Sequence, residues 1–292
     1  MKAIVGIDVR KAYLPALDLF ARLKFEKPSV ELLHAVTLEC PMTLPDAHAE
    51  AEYSKVVQNR GLLALDAAAD DACSRGITAQ TRLVFARAAD GINAKAASDG
   101  ADIVVVGATH CGRISNSYLD SATCALAIDG RTSLLVTKGL TAGRRGAGVR
   151  AVLAVDHSAH QDRVIDKLIE FAPRGIVSIQ LLSAFRVDDD IALVTGTNPA
   201  ALGGDVDRWV AEQYQQKTEA IASRLREAGY SVSVCVVESE PNDAIRHVMQ
   251  SSHADLLIIG AVGNSTQSQA RIGSVAVHQI GYESHPVLML RG

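Results

Sequence analysis

The amino-acid sequence of this 292-residue chain contains the same pattern twice. Four segments of the first half recur in the same order in the second: KAIVGID (2–8) as RAVLAVD (150–156), ELLHA (31–35) as QLLSA (180–184), ADIVVVG (101–107) as ADLLIIG (254–260), and LLVTKG (134–139) as VLMLRG (287–292). The repeat is far longer than the roughly 20–50 residues of a solenoid unit. The sequence therefore predicts two similar domains in tandem, residues 1–140 and 149–292, with the glycine-rich segment 139–148 as their linker.

Strands and helices alternate within each half. The runs at 103–106 and 256–259 are continuously apolar, which is typical of parallel strands buried on both faces. The remaining pattern predicts helices at 13–24, 53–74 and 91–98 with strands at 30–37 and 78–85, and then helices at 161–171, 206–228 and 241–251 with strands at 177–184 and 231–237. This alternation predicts an α/β fold in which each half forms an open parallel sheet with helices on both faces.

Composition and charge exclude several classes of protein. The chain is 48% hydrophobic, so each half can bury a core, and its net charge of −4 implies no general affinity for nucleic acid or for an acidic membrane. No apolar run approaches the ~20 residues of a membrane span. An acidic residue at position 8 makes the N-terminal segment a strand rather than a signal peptide. The five cysteines are scattered without a C-x-x-C pair, which predicts reduced thiols and a cytoplasmic protein.

Glycines at fixed spacing follow the second of the apolar runs. Gly260 and Gly263 come directly after it, and Gly273 and Ser274 open a helix, with Ser274 as the expected cap. Glycines let backbone amides approach a ligand, and a helix start favours phosphate. The spacing G-x2-G-x9-G-S is neither a Walker loop nor a Rossmann fingerprint. The alternative is a strand–helix loop whose glycines serve only tight packing.

This loop resembles the ATP-binding loop of the universal stress protein family, and the resemblance extends over both halves. It implies a Rossmann-like domain with a five-stranded parallel sheet in each half. It also implies a bound adenine nucleotide, ATP. Because the loop 264–272 carries one formal charge, Arg271, and no lysine, we expect Mg²⁺ to screen the phosphates. Asp156 would lie against the nucleoside and the main chain of Ala184 near adenine, while the phosphates would be held by Gly260, Gly263, Gly273, Ser274 and the amide of Val275. For Asp156 the alternative is a carboxylate that caps the next helix.

The first half departs from the motif of the second. Gly107 is present, but His110 and Asp120 stand at the second and third glycine positions, and only Ser121 keeps the hydroxyl. A carboxylate about 5 Å from a phosphate charge costs roughly 3 kcal/mol at an effective dielectric of 20. We therefore expect the first half to bind ATP weakly or not at all, unless Gly112 lets a shifted loop restore the site.

The resemblance also implies partners. Members of the family pair through their last strands, so residues 134–137 and 287–290 would form a pseudo-dimer between the two halves. A homodimer of the whole chain and an unknown protein partner stay open, whereas nucleic acid and membranes are not expected.

The function predicted from these observations is that of a stress-response sensor or regulator that binds ATP and is not an enzyme, with at most weak ATP hydrolysis. The alternatives are an interaction scaffold without nucleotide and a slow adenine-nucleotide hydrolase. His157 and His160 are expected to form a surface pair, because a zinc site would need further ligands.

Overall fold

The structure is a computed structural model, and it describes residues 1–38, 43, 45–108, 122–138, 148–186, 206–263 and 272–292. The chain divides into two compact units. The first comprises Met1–Ala142 with Ser284–Pro286, and the second comprises Gly143–Glu283 with Val287–Gly292. The predicted linker at 139–148 lies outside the described residues except for Gly148.

The first unit alternates strands and helices from its start. Its elements are β1 (Lys2–Gly6), α1 (Tyr13–Leu23), β2 (Ser29–Val36), α2 (Ala47–Cys73), β3 (Ala79–Phe85), α3 (Ala88–Asp99), β4 (Ile103–Ala108), α4 (Ala122–Asp129) and β5 (Ser133–Lys138). The strands lie in the order β3-β2-β1-β4-β5, and each neighbouring pair is parallel. Helix α1 packs on β4 and β5, whereas α2 packs on β2 and β3.

The second unit repeats this arrangement. Its elements are β6 (Val149–Val155), α5 (Gln161–Phe171), β7 (Ile176–Phe185), α6 (Val206–Glu227), β8 (Val232–Glu238), α7 (Pro241–Ser251), β9 (Leu256–Gly260), α8 (Ser274–Gly281) and β10 (Val287–Leu290). The strand order is β10-β9-β6-β7-β8, again parallel throughout. Helix α5 contacts α6, helix α7 contacts α8, and all four helices pack on the sheet of this unit. The predicted fold class, two tandem α/β domains with five-stranded parallel sheets, is confirmed.

Apolar periodicity explains how the helices of the second unit attach to its sheet. In α5 the residues Val164, Ile165, Leu168 and Phe171 are buried, at the spacing of one helical face. This face packs on β9 and β10, whose apolar residues are themselves buried. Helix α7 begins at Pro241, where the missing amide proton and the fixed φ of proline suit a first turn.

The strand order places a reversal of direction at the middle of each sheet. In the second unit the chain leaves β6 towards β7 on one side, while β9 lies on the other side of β6. Residues 151–153 of β6 pair in register with residues 256–258 of β9. In an open parallel sheet, the crevice beyond the carboxyl ends of two such strands is where ligands bind. The fold thus directs attention to the ends of β6 and β9.

Within the described residues, no helix combines the length and the apolar character needed to cross a membrane. Cytoplasmic location, the pairing of residues 134–137 with 287–290 and a homodimer stay predictions. Cys73 and Cys235 are free thiols. Cys40 and Cys111 lie outside the described residues.

Candidate functional site

A cavity of about 110 Å³ lies at the carboxyl end of the sheet in the second unit. Its walls are mainly apolar and come from strands β6, β7 and β9 and from helices α5, α7 and α8, and they include Val155, Val164, Leu182, Ile245, Ile259 and Val262. Three polar side chains join them, those of Asp156, Ser158 and Gln161. An apolar cavity with a few placed polar groups is typical of a small-molecule site.

Asp156 is the carboxylate that lines the cavity. It follows β6 directly, and its Oδ1 accepts a hydrogen bond from the main-chain amide of Ser158 at 3.1 Å. Helix α5 begins only at Gln161, and His160, at its N-cap position, makes no side-chain cap. This bond places Asp156 in the turn between β6 and the start of the helix. The nucleoside contact and the alternative of a helix cap both stay predictions.

The glycines close the base of the predicted phosphate loop. Gly260 ends β9, and a Cβ built on it would lie 3.0 Å from Cγ2 of Val164. A Cβ on Gly263 would lie 2.3 Å from Oδ2 of Asp156. The amide of Gly273 donates to the carbonyl of Ala261 at 2.7 Å, so the two ends of the loop meet. Packing alone accounts for glycine at 263, and it places the loop base directly beside the cavity. Residues 264–271 of the loop, including Arg271, lie outside the described residues.

Ser274 is the first residue of α8 and not its cap, so this prediction is wrong. The N-cap is Gly273, with φ −79° and ψ 155°. The hydrogen bond from the Gly273 amide to Ala261 holds Gly273 extended at the N-cap position, and the helix therefore starts one residue earlier than expected. Ser274 is exposed and Val275 lines the cavity, so the first turn of α8 stands at its rim. The positive end of the helix dipole favours an anion there.

All predicted site residues lie at this end of the second unit. Asp156, Ala184, Gly260 and Val275 line the cavity, and Ala184 stands next to the end of β7. The loop base and helix start adjoin it through Gly263, Gly273 and Ser274. Their contacts with a ligand stay predictions.

Sequence reasoning missed two polar residues of the cavity. Ser158 and Gln161 are 8% and 7% exposed. The Oε1 of Gln161 accepts from the main-chain amide of Asp156 at 3.3 Å. The Oγ of Ser158 and the Nε2 of Gln161 have no hydrogen-bond partner in the described part of the chain. A signal was present, because Gln161 occupies the first position of the buried stripe of α5, where an apolar residue is the norm.

His157 is half-buried and contacts buried polar residues of the second unit, so the expected surface pair is wrong. Its Nε2 lies 3.0 Å from Oγ of Ser183 and 3.2 Å from Oγ1 of Thr218, and its ring packs edge-on against Tyr214. Burial, aided by the charge of Lys217 and opposed by that of Asp156, lowers the pKa of His157 to about 4. His160, in contrast, is exposed. The backbone of His157 has a left-handed conformation, with φ 55°, and the side chains of His157 and His160 therefore do not share one surface.

Metal ligands are not clustered here. Within the ranges that the structure describes, no group of three or more His, Cys, Asp or Glu residues could hold a metal ion.

The corresponding end of the first unit is only partly described. Asp8 follows β1 and Gly107 lies in β4, as the repeat predicts. His110, Gly112, Asp120 and Ser121 lie outside the described residues.

Comparison with known proteins follows the same division of the chain. The model of the universal stress protein family matches residues 149–291. A universal stress protein of Methanocaldococcus jannaschii is 26% identical over 82 residues, which is 28% of this chain and 51% of that protein. The chain thus spans about half the length of this curated relative.

Solved structures resemble the whole chain. A universal stress protein from Archaeoglobus fulgidus matches with a TM-score of 0.67 at 16% identity, over 99% of this chain and 96% of that one. A protein of unknown function from Pseudomonas aeruginosa matches with a TM-score of 0.60 at 17% identity, over 99% of this chain and 92% of that one. These likenesses show a shared tandem fold.

Proposed function

Because this chain belongs to the universal stress protein family through its second half, we propose that this half binds an adenine nucleotide, ATP with Mg²⁺, and that the protein acts as a stress-response sensor or regulator. The observation that carries the proposal is the cavity where β6 and β9 end. Asp156, Ala184, Gly260 and Val275 line it, and the first turn of α8 stands at its rim. An apolar cavity beside a helix N-terminus suits a ligand with an apolar ring at one end and phosphates at the other.

The two parts of the nucleotide would occupy different surroundings. The apolar walls of Val155, Leu182 and Ile259 suit the base. The loop base and the first turn of α8 offer backbone amides and the exposed hydroxyl of Ser274 to the phosphates. Mg²⁺ would arrive with the phosphates and keep several waters, since this ion is usually held by few protein ligands and by substrate phosphates.

We propose binding without rapid turnover. Asp156, the carboxylate that lines the cavity, is held by the Ser158 amide in the turn that follows β6. Such a group orients a ligand more readily than it activates water. A sensor needs the bound nucleotide to persist, and slow hydrolysis is compatible with that role. The protein partner that responds to the bound state stays unidentified.

One nucleotide per chain is expected. In the first unit a Cβ on Gly107 would lie 1.6 Å from the carbonyl oxygen of Ala12, so main chain occupies the space beside the end of β4. This observation joins the sequence argument from His110 and Asp120. Both favour a first unit that binds ATP weakly or not at all.

Calorimetric titration of ATP with Mg²⁺ tests the proposal, with Ser274→Asp as the informative variant. An acidic residue in the first turn stabilises a helix through its dipole, so folding is preserved, while the same charge repels phosphate. At about 5 Å the repulsion is roughly 3 kcal/mol, or about two decades in Kd. Ala88→Asp is the matched control, because Ala88 is exposed and is the first residue of α3 in the other unit.

The outcomes separate the candidate functions. One site per chain, weakened about 100-fold by Ser274→Asp and unchanged by Ala88→Asp, supports the nucleotide sensor. Two sites per chain would contradict the account of the first unit. Absence of binding to the unaltered chain would leave an interaction scaffold without nucleotide. Release of phosphate well above background would favour the hydrolase.

A further inference from the structure

Two buried polar atoms of the cavity lack partners within the fold. The Oγ of Ser158 and the Nε2 of Gln161 are in side chains more than nine-tenths buried, and neither has a hydrogen-bond partner among the described residues. Buried polar groups are nearly always paired, because burial without a partner costs the hydration that water supplied. Both residues line the same cavity, so a ligand that enters it reaches both.

The fold determines which kind of atom Gln161 presents. Its Oε1 is engaged by the main-chain amide of Asp156 at 3.3 Å, and this bond fixes the orientation of the side-chain amide. The Nε2 is therefore a donor that remains for the ligand. Ser158 adds a hydroxyl that can donate or accept, and Asp156 adds an acceptor.

Charge indicates which part of a nucleotide these groups meet. Ser158 and Gln161 lie on the β6–α5 side of the cavity, next to the carboxylate of Asp156 in the chain. A phosphate placed there would be repelled by that carboxylate, whereas the positive end of α8 favours it at the first turn of that helix. A nucleoside has uncharged ring nitrogens and hydroxyls that match a donor, an acceptor and a two-way hydroxyl.

We infer that Gln161 and Ser158 bind the nucleoside part of the ligand, with Gln161 Nε2 donating to an acceptor atom of the base or ribose and Ser158 Oγ completing the contact. The inference rests on the proposed nucleotide site and adds residues that the glycine motif does not contain. These residues determine specificity for the nucleoside and contribute nothing to phosphate binding.

The first unit lacks both groups at the matching positions. Aligning 2–8 with 150–156 places Arg10 opposite Ser158 and Tyr13 opposite Gln161. The hydroxyl of Tyr13 donates to Oδ2 of Asp71 at 3.0 Å, so the fold itself supplies its partner. A polar atom paired inside the fold needs no ligand, and an unpaired one in a cavity does.

The test combines variants with nucleotides of different phosphate number. Ser158→Ala removes the hydroxyl, and Gln161→Glu keeps the acceptor for the Asp156 amide while removing the donor. Gln250→Glu is the control for charge, because Gln250 is exposed near the far end of α7. Kd is measured by calorimetry for ATP, ADP and AMP with each variant.

Ser158→Ala is expected to raise Kd about threefold to tenfold, and Gln161→Glu by more than about tenfold, by the same factor for all three nucleotides. Gln250→Glu leaves each Kd unchanged. The melting temperature of ligand-free Ser158→Ala is expected to stay level or rise, since no bond within the fold is lost.

Several results would overturn the inference. A loss that falls on ATP and spares AMP would place the two residues at the phosphates. Unchanged affinities, with the unaltered chain still binding ATP, would remove them from the site and leave the proposed function standing. A lower melting temperature of ligand-free Ser158→Ala would give the hydroxyl a structural role instead. Absence of nucleotide binding to the unaltered chain would overturn the proposed function and this inference together.

Discussion

The two units differ at the turn between their first strand and first helix, although the strands themselves repeat. In the first unit both carboxylate oxygens of Asp8 accept main-chain amides, from Arg10 at 2.8 Å and from Tyr13 at 3.3 Å. In the second unit Asp156 accepts the amide of Ser158 at 3.1 Å. Both units thus have an aspartate at this position, but the backbone around it follows a different path in each.

The position of a left-handed residue separates the two turns. It is Lys11 in the first unit, with φ 61°, and His157 in the second, with φ 55°. Because one such residue redirects the chain, the first turn carries the Ala12 carbonyl against Gly107, where a Cβ would meet it at 1.6 Å. In the second unit Gly260 faces the tip of Val164 instead and borders the cavity. A duplicated fold can therefore keep its strands and change its ligand site through one short connection.

The largest expected effect comes from adding a methyl group to the matching glycines. Gly107→Ala drives a Cβ into main-chain atoms that cannot move aside, so the free energy of unfolding should fall by about 3 kcal/mol or more. Gly260→Ala meets the tip of the Val164 side chain at 3.0 Å and the carbonyl oxygen of Val262 at 3.3 Å, and it should cost about 1 kcal/mol. Urea unfolding measures both, and equal losses would mean that the two glycines stand in equivalent surroundings.

The next effect belongs to the second unit alone and depends on pH. His157 is neutral in the fold, since burial lowers its pKa to about 4, whereas it titrates near 6.5 when unfolded. The unfolded chain binds the extra proton between these values, so stability falls as pH drops from about 6.5 to about 4. We expect a loss of about 1–3 kcal/mol, followed by urea unfolding across this range.

A matched pair of variants isolates this histidine. His157→Asn removes the titrating group and tolerates the left-handed backbone, so the pH dependence of the second unit should flatten. His160→Gln removes an exposed histidine three residues away and should leave the dependence intact. The position that matches His157 in the first unit is Val9, which does not titrate. A pH dependence that survived His157→Asn would assign the effect to other groups.

The sequence predicted the helices where one signal dominates. Helix α5 begins and ends where its apolar stripe does, and α7 begins at Pro241 as expected. Helix α2 begins at Ala47, earlier than the predicted residue 53, because residues 47–52 carry no apolar stripe. Their alanines and glutamates form helix by propensity, and Asp46 caps it by accepting the Ala49 amide at 2.8 Å.

The sequence predicted those parts of the site that depend on the spacing of residues along the chain. The glycine spacing located the loop base, and the repeat located Asp156. The roles of Gln161, Ser158 and His157 depend on the path of the turn after β6, which a left-handed residue other than glycine determines. Sequence patterns indicate such a residue only weakly. The start of α8 depends likewise on a bond from Gly273 to the carbonyl of Ala261.

The smallest expected effect sharpens the contrast between Tyr13 and the cavity residues. Tyr13 is 1% exposed, and burial together with the hydrogen bond to Asp71 raises the pKa of its hydroxyl above the usual range. Tyr13→Phe deletes that hydrogen bond and should lower the free energy of unfolding by about 1 kcal/mol. The carboxylate of Asp71 would retain its ion pairs with Lys11 at 3.6 Å and with Arg75 at 3.9 Å, and these limit the loss of stability. Thermal unfolding and ATP titration measure the result, with nucleotide affinity expected to stay unchanged. An unchanged melting temperature would show that the fold needs the Tyr13 hydroxyl no more than it needs the Ser158 hydroxyl. In that case the two units would no longer differ in having a paired polar atom in one and an unpaired polar atom in the other.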